Sequence, residues 1–385
     1  MARIRVLQVV TRLAVRGVPR HVLDVAAGLD PERFEVEVLA GASEPGEGEL
    51  WEEARQRGVS THYLPWLCRP VNPWRDALAL EGVYRWIRHG RYDIVHTHIS
   101  KAGILGRLAA RWAGVPGVLH TYHGQVEEVR GGGLASRLFL ACERRAARWC
   151  DLLIAVSTGT AQQCLACGIG RPEQYRVIHN GIEVSRFAQV QRGPSPLGGS
   201  GPGPHIGTIG SLTPEKGIEV LLRALPGLVP DWPHVQLHVV GDGRLRAALE
   251  SLAERLGVRG RVHFPGIVAD VRPYLAHFDV LAMPSLQEGL PTVVLEAMAA
   301  GCPLVASSVG GIPEIVEQDR HGILVPAGDA PSLEEALRTL LEDPARRVRL
   351  GRAAQERVQA TFDLGSMLER LATEYERLLL ARVRS

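Results

Sequence analysis

Lysine is nearly absent from this chain: of 44 basic residues only Lys101 and Lys216 are lysines, so a lysine in a conspicuous turn marks a place where a compact point charge is wanted. Also missing is any uninterrupted apolar segment long enough to span a bilayer, which argues against a membrane-crossing helix. The first residues set charges against a short apolar run that leads into Thr11 and Arg12, the pattern of a buried first strand rather than a signal peptide. Cytoplasmic residence is therefore expected, at most with peripheral attachment to the inner face of a membrane, and the six cysteines should be free thiols. Cys164 and Cys167 form a C-x2-C, but no second ligand pair lies near them, and buried thiols are expected rather than zinc. No D-x-D occurs, and no carboxylate stands ready to complete a histidine metal set, so no metal or other cofactor is expected.

Charge of either sign is not in excess overall, with a formal net of +2. Residues 1–190 hold 24 basic against 19 acidic residues and the remainder 20 against 23. The small basic surplus of the first half suits anionic substrates or an anionic membrane face. Without an aromatic-studded basic stripe it does not support nucleic acid as a partner.

What is present is a repeated α/β rhythm. Apolar runs at Val6–Val10, Phe34–Leu39, Ile94–His96, Val118–His120 and Leu152–Val156 alternate with helical patterns such as His21–Leu29 and Ala102–Trp112. The stretch Gln191–Pro204, rich in Gly, Pro and Ser, interrupts this rhythm and reads as a linker. Strand and helix patterns then restart at His205 and continue to Pro303–Ala306, and Pro331–Arg384 reads as a run of helices. The expectation is an N-terminal Rossmann-like domain over 1–190, a linker over 191–204 and a second Rossmann-like domain over 205–365. A last helix, about 366–385, should pack back on the first domain. Ligands of open α/β sheets bind beyond the carboxyl ends of the strands, so two such domains facing each other would place the motif-bearing loops on the walls of a cleft.

Those loops carry the chemistry. After the first strand of the second half comes Gly207-Thr208-Ile209-Gly210-Ser211-Leu212-Thr213-Pro214-Glu215-Lys216-Gly217, a glycine-bearing turn with a lysine just before a helix. Free N–H groups and the dipole at a helix start favour anions, so Lys216 is placed to hold a diphosphate; a solvated turn lysine is the alternative. Gly241-Asp242-Gly243 closes the next strand, where it either lets the backbone approach a ligand or simply turns the chain. The segment Pro284–Gly301 runs from strand end to helix. Pro291 suits a first helical turn, and the backbone at Gly289, Leu290 and Thr292 would form a phosphate or sugar cradle. Glu288 would stand in the loop, with Glu296 about two turns into the helix on the same side, where a carboxylate can accept from vicinal sugar hydroxyls. Alternatively Glu288 is a cap and Glu296 a surface residue, although Glu296 sits among apolar neighbours where an unpaired carboxylate is costly.

Glu288 and Glu296 resemble the E-x7-E motif of the retaining family-4 glycosyltransferases, whose fold is called GT-B. The turn ending at Lys216-Gly217, the GDG and Pro265-Gly266-Ile267-Val268 follow that family's order, so the resemblance spans essentially the whole chain. It implies that Lys216 holds the donor diphosphate, Glu288 meets hydroxyls of the transferred sugar, Glu296 holds the ribose and the main chain near Val268 meets the base. One departure is visible: where many members carry Gly-Arg, this chain has Gly210-Ser211, and Arg16 or Arg20 of the first half is the candidate replacement cation.

The first strand of the chain is followed by Thr11–His21, where related enzymes show a Gly-Gly-x-Glu turn and only Gly17 remains; a plain basic turn is the alternative. His120-Thr121-Tyr122-His123-Gly124 resembles a loop of bacterial polysaccharide glycosyltransferases, which implies that His123 lies beside the reacting sugar, with His120 as an acceptor or phosphate candidate. An imidazole there would titrate within reach of neutral pH. His96 and His98 read as structural or acceptor-lining, and Asn180-Gly181-Ile182-Glu183 as a structural turn. Glu143, Arg144, Arg145 and Arg148 read as one charged face of a helix whose other faces are apolar, either solvated or turned to a membrane or acceptor phosphate.

The activity implied is retaining transfer of a hexose from a nucleotide diphosphate sugar, a UDP-sugar by the His-Thr-Tyr-His-Gly resemblance, to a glycan or lipid-linked acceptor. Front-face attack, with the acceptor proton passing to the departing phosphate, needs no general base. Two other readings stay open: a sugar-nucleotide epimerase on the same scaffold, and a catalytically silent nucleotide-sugar binder.

Overall fold

Strands buried on both faces need continuous apolar runs, and the runs read above become such strands. The computed structural model describes residues 3–44, 47–124, 133–188, 195–197 and 203–383. The chain divides into two compact units, Met1–Asn180 with Leu364–Ser385, and Gly181–Asp363. Most of the expected linker, 191–194 and 198–202, lies outside the described residues. The division itself falls earlier, after Asn180, because Ile182 donates its N–H to Phe362 O (3.0 Å) and bridges Asp363, which ties the departing chain to the end of the second unit.

In the first unit the order is β1 (Ile4–Arg12), α1 (Gly17–Gly28), β2 (Phe34–Gly41), α2 (Trp51–Gln56), β3 (Ser60–Tyr63), α3 (Pro73–Gly90) and β4 (Ile94–His98). There follow α4 (Ser100–Ala113), β5 (Gly117–Tyr122), α5 (Leu134–Ala147), β6 (Leu152–Ala155), α6 (Thr158–Ala166) and β7 (Tyr175–Val177). The seven strands form one parallel sheet in the order β3-β2-β1-β4-β5-β6-β7. The second unit holds α7 (Ser185–Ala188), β8 (His205–Ile209), α8 (Ile218–Leu228), β9 (Gln236–Val240), α9 (Arg246–Arg255), β10 (Val262–Gly266), α10 (Arg272–His277) and β11 (Val280–Met283). It continues with α11 (Thr292–Ala299), β12 (Leu304–Ser307), α12 (Ile312–Ile315), β13 (Ile323–Val325), α13 (Ala330–Glu342) and α14 (Pro344–Thr361). Its parallel sheet has the order β10-β9-β8-β11-β12-β13.

The final helix, α15 (Leu364–Val383), belongs to the first unit. Met367, Leu368, Leu371, Ala372 and Tyr375 join Val6, Ile94, Leu119 and Leu152 in one buried cluster, so α15 covers the face of the sheet made by β1, β4, β5 and β6. In each sheet the strand order reverses beside the first strand of the unit, between β1 and β4 and between β8 and β11. Such a switch point opens a crevice at the carboxyl ends, and the motif loops stand at these two places.

Several elements escape a sequence reading. The edge strand β3 is polar and half-exposed, so it shows no apolar run. Helix α3 does carry a start signal, with Asn72 accepting from the N–H groups of Trp74 and Arg75 at 3.1 Å and Pro73 in the first turn.

Candidate active site

At the β8/β11 switch the backbone is packed so closely that only glycine fits. Gly241 has φ +129°, and a Cβ there would lie 1.9 Å from Gly210 O; Gly217, at φ +59°, would meet Pro284 O at 2.2 Å. The loop before α11 is stitched from both sides, by Leu286 N–H to Glu215 O (2.8 Å) and by Gly311 N–H to Gly289 O (2.7 Å). A fixed cradle results in which Lys216 donates to Glu288 Oε1 at 2.7 Å and Ser285 Oγ donates to the same oxygen at 2.7 Å. The side chain of Glu288 is only 8% exposed against 23% for Lys216, so the carboxylate is held in place and the ammonium is the partner that reaches solvent. Gly210 faces the stem of Lys216, the nearest side-chain carbon lying 3.8 Å from a Cβ built there.

Residues 289–292 follow directly. Gly289 and Leu290 are buried, and α11 starts at Thr292, so Pro291 precedes the first turn instead of occupying it. No side chain caps this helix start. Glu296 is the fifth residue of α11, one turn in rather than two, and is half-buried. Val268 is half-buried in the loop after β10, next to Ile267, which is 49% exposed. Ser211, standing where an arginine was expected, shares a hydroxyl contact with Thr213 (3.3 Å), which in turn donates to Glu215 at 2.6 Å. Sequence reasoning passed over Ser285, whose hydroxyl seats Glu288, and Arg246, which bonds Asp242 (2.9 Å) and Phe264 O (2.8 Å) beside the same glycines. The signal for Arg246 was its place three residues after the GDG, at the first position of α9.

The remaining sequence candidates belong to the first unit. Arg16 and Gly17 are exposed at the start of α1. Arg16 pairs with Glu47 (3.0 Å) and Arg20 with Glu53 (3.4 Å). His120 is 1% exposed and lies on the sheet face toward α4, where its Nδ1 meets Thr97 Oγ1 at 2.8 Å and its ring rests on Gly103. His123 follows β5 and is half-buried, its ring edge-on to His21 at 5.0 Å. The expectation that His123 titrates near neutrality is corrected: burial, and then the neighbouring His21 and His96, hold it well below the usual histidine range. The charged face expected on α5 is corrected as well. Glu143 is 1% exposed and turned inward to Arg107 Nη2 at 2.6 Å, while Leu134 and Leu138 are 84% and 65% exposed, because the buried guanidinium demands a carboxylate partner. Among the described residues no helix is long and apolar enough to cross a membrane, and no group of three or more His, Cys, Asp or Glu is set to hold a metal ion.

Known proteins carry the same layout. A family model described as Glycosyltransferase Family 4 matches residues 15–186, and one described as Glycosyl transferases group 1 matches residues 203–343. The UDP-Gal:alpha-D-GlcNAc-diphosphoundecaprenol alpha-1,3-galactosyltransferase of Escherichia coli is 28% identical over 384 residues, with 97% of each chain covered. The D-inositol 3-phosphate glycosyltransferase of Streptomyces coelicolor is 28% identical over 386 residues, covering 89% of this chain and 83% of that one. Among solved structures, Anabaena HepE in complex with UDP-glucose has a TM-score of 0.83 at 23% identity, covering 97% of this chain and 100% of that chain. One family model falls on each sheet, and the chain belongs to the family-4, group 1 glycosyltransferases, sugar-transferring enzymes of the GT-B fold.

Proposed function

We propose that this transferase is a retaining enzyme that takes a hexose from a UDP-sugar and passes it to a glycan or lipid-linked acceptor. The observation that carries the reading is the Lys216–Glu288 pair, seated on Ser285 at the start of α11. Loss of a nucleotide diphosphate builds negative charge on the departing phosphate and positive charge on the anomeric carbon. Lys216 and the uncapped N–H groups of α11 answer the first, and the fixed Glu288 carboxylate, by accepting from sugar hydroxyls, orients the second. Glu296 is assigned to the ribose and the main chain at Val268, beside exposed Ile267, to the base. No metal is assigned, since the cationic work falls to protein groups.

The uridine donor is supported by the relatives, the E. coli enzyme being named for UDP-Gal and HepE holding UDP-glucose. The diphosphoundecaprenol in the former name supports a lipid-linked acceptor. Relatives named as transferases leave the epimerase reading unfavoured. Retention is what the resemblance of the E-x7-E pair to the retaining family-4 enzymes implies, with the acceptor proton passing to the leaving phosphate. The cation absent at Ser211 is assigned to Arg16 or Arg20, each of which would exchange its carboxylate partner for phosphate; unchanged donor KM in both Arg16→Ala and Arg20→Ala would refute that assignment. A lipid-linked acceptor also gives a use to the exposed apolar rim of the first unit. Val71 and Trp74 are 86% and 84% exposed beside exposed Arg69 and Arg75, a mix suited to an anionic interface.

One assay tests the set. The enzyme is incubated with UDP-sugars, with and without lipid-linked acceptors in detergent or anionic vesicles, while UDP release and the anomeric configuration of the product are followed. The expected result is acceptor-dependent release with the donor's configuration kept, and a Trp74→Ala variant impaired on vesicles only. Epimerised donor without acceptor, or an inverted product, would refute transfer or retention respectively.

A further inference from the structure

Beyond the donor cradle, the first unit contains a second ordered polar assembly, buried beneath His123. Gln8 on β1 and His96 on β4 are register partners, and His98 pairs with Thr121 of β5, so these side chains project from one face of the sheet, the face that α15 covers. Gln8, His96 and His98 are 0–1% exposed, and Tyr375 of α15 is fully buried among them. Their contacts form one continuous chain. His123 Nε2 meets His98 Nδ1 at 2.9 Å, and His98 Nε2 meets Gln8 Oε1 at 2.5 Å. Gln8 Nε2 donates to the Tyr375 hydroxyl at 2.9 Å; that hydroxyl meets His96 Nδ1 at 2.7 Å, and His96 Nε2 meets Thr121 Oγ1 at 2.7 Å.

The amide of Gln8 gives this chain a direction. Its oxygen can only accept, so His98 must carry its proton on Nε2. Burial and the surrounding histidines keep His98 neutral, so its Nδ1 has only a lone pair to offer. His123 must then donate from Nε2, which leaves its Nδ1 unprotonated. On the other side, Gln8 Nε2 fills one lone pair of Tyr375, whose proton is free to go to His96. Each member donates once along the line, so a single flip of the Gln8 amide would reverse every ring. In the present arrangement the Tyr375 hydroxyl anchors the amide by accepting from Gln8 Nε2 and passes its own proton toward His96 Nδ1.

We propose that Gln8, His98 and Tyr375 are positioning residues that fix His123 as its Nε2–H tautomer and present Nδ1 as a hydrogen-bond acceptor for a hydroxyl of the bound sugar or acceptor. The assignment rests on the reading that His123 borders the reacting sugar. It gives the last helix of the chain a part in the active site: α15 covers the sheet and also supplies the hydroxyl that anchors the Gln8 amide.

The test uses the full-length enzyme with 15N-labelled histidine. Long-range 1H–15N spectra identify the protonated nitrogen of each ring in the wild type and in Tyr375→Phe, which removes only the hydroxyl. The expected result is a single Nε2–H form of His123 in the wild type and a mixture of tautomers in Tyr375→Phe, with kcat lowered about tenfold and donor KM within about twofold. Nucleotide binding by the second unit, measured by titration, verifies that the variant is folded. A wild-type His123 protonated on Nδ1, or a Tyr375→Phe enzyme with one tautomer and wild-type kcat, would overturn the proposal. His123→Ala separates it from the reading beneath it: full turnover in that variant would remove His123 from the reaction even if the tautomer were as described.

Discussion

The carboxyl ends of the two sheets are built on opposite plans. In the second unit the loops close by omission of side chains: Gly217, Gly241 and Gly310 let one backbone lie on another, and a Cβ at any of the three would fall within 1.9–2.2 Å of a carbonyl oxygen. In the first unit the same region is filled by polar side chains that satisfy one another, Gln8, His96, His98, Thr121 and Tyr375 on one face and Arg107, Tyr122 and Glu143 on the other. A glycine-built loop is rigid because alternatives clash and because its N–H groups are bonded to neighbouring carbonyls, Gly210 to Val240 O and Gly241 to Gly266 O, both at 2.9 Å. A side-chain network is rigid because each broken contact strands a buried polar group. The first plan suits a repeating phosphate ligand, and the second can be retuned residue by residue.

The two plans should fail differently. The largest effect is expected from Glu143→Ala, which leaves the Arg107 guanidinium, itself 0% exposed, without its carboxylate. Removing one partner of such a pair costs about 3–5 kcal/mol, so denaturant unfolding should show the first unit destabilised and UDP binding to the remaining folded protein intact. Gly241→Ala should reverse the pattern: forcing a side chain to φ +129° against Gly210 O should lower stability by about 3 kcal/mol or less after local adjustment and abolish UDP binding. If either variant damages both properties equally, the contrast between the plans fails.

A milder test uses pH. Burial holds His21 at about 4 and His96 at about 3, with His98, His120 and His123 also well below the usual range, whereas in the second unit His238 is lowered to about 3 and His205, His263 and His321 are lowered too. These groups are neutral when folded and take up a proton when unfolded below pH 6.5. Their contribution is therefore complete above that value and is lost as pH falls toward the folded values, at up to about 1.4 kcal/mol per pH unit for each fully buried ring. Thermal melts at pH 8 and pH 5 should show the first unit losing more stability than the second. Equal losses would mean that the buried histidines do not differ in their share of the two folds.

The contrast also explains what could be read from sequence. A glycine turn, a lysine before a helix and two glutamates eight positions apart are local signals, and the loops that bring Lys216 to Glu288 were visible in them. Side-chain networks are not local. Gln8 meets Tyr375 across 367 positions, a contact that strand register and the return of α15 create and that no spacing announces. Glu143 was read as solvated because a helix bearing Glu-Arg-Arg resembles a surface face, and only the buried Arg107 on α4 explains its inward turn. The polar strand β3 and the short β7 lacked the apolar runs by which the other strands were recognised, and the run of β13, Ile323-Leu324-Val325, is only three residues long.

The most direct test of the donor cradle is calorimetric titration of UDP into the wild type, Lys216→Ala and Glu288→Gln. Lys216→Ala is expected to weaken UDP binding at least about tenfold through loss of a charge-assisted contact. Glu288→Gln should leave UDP affinity within about threefold while lowering turnover about 100-fold, since its proposed ligand is the sugar rather than the nucleotide. Wild-type UDP affinity in Lys216→Ala would contradict the account.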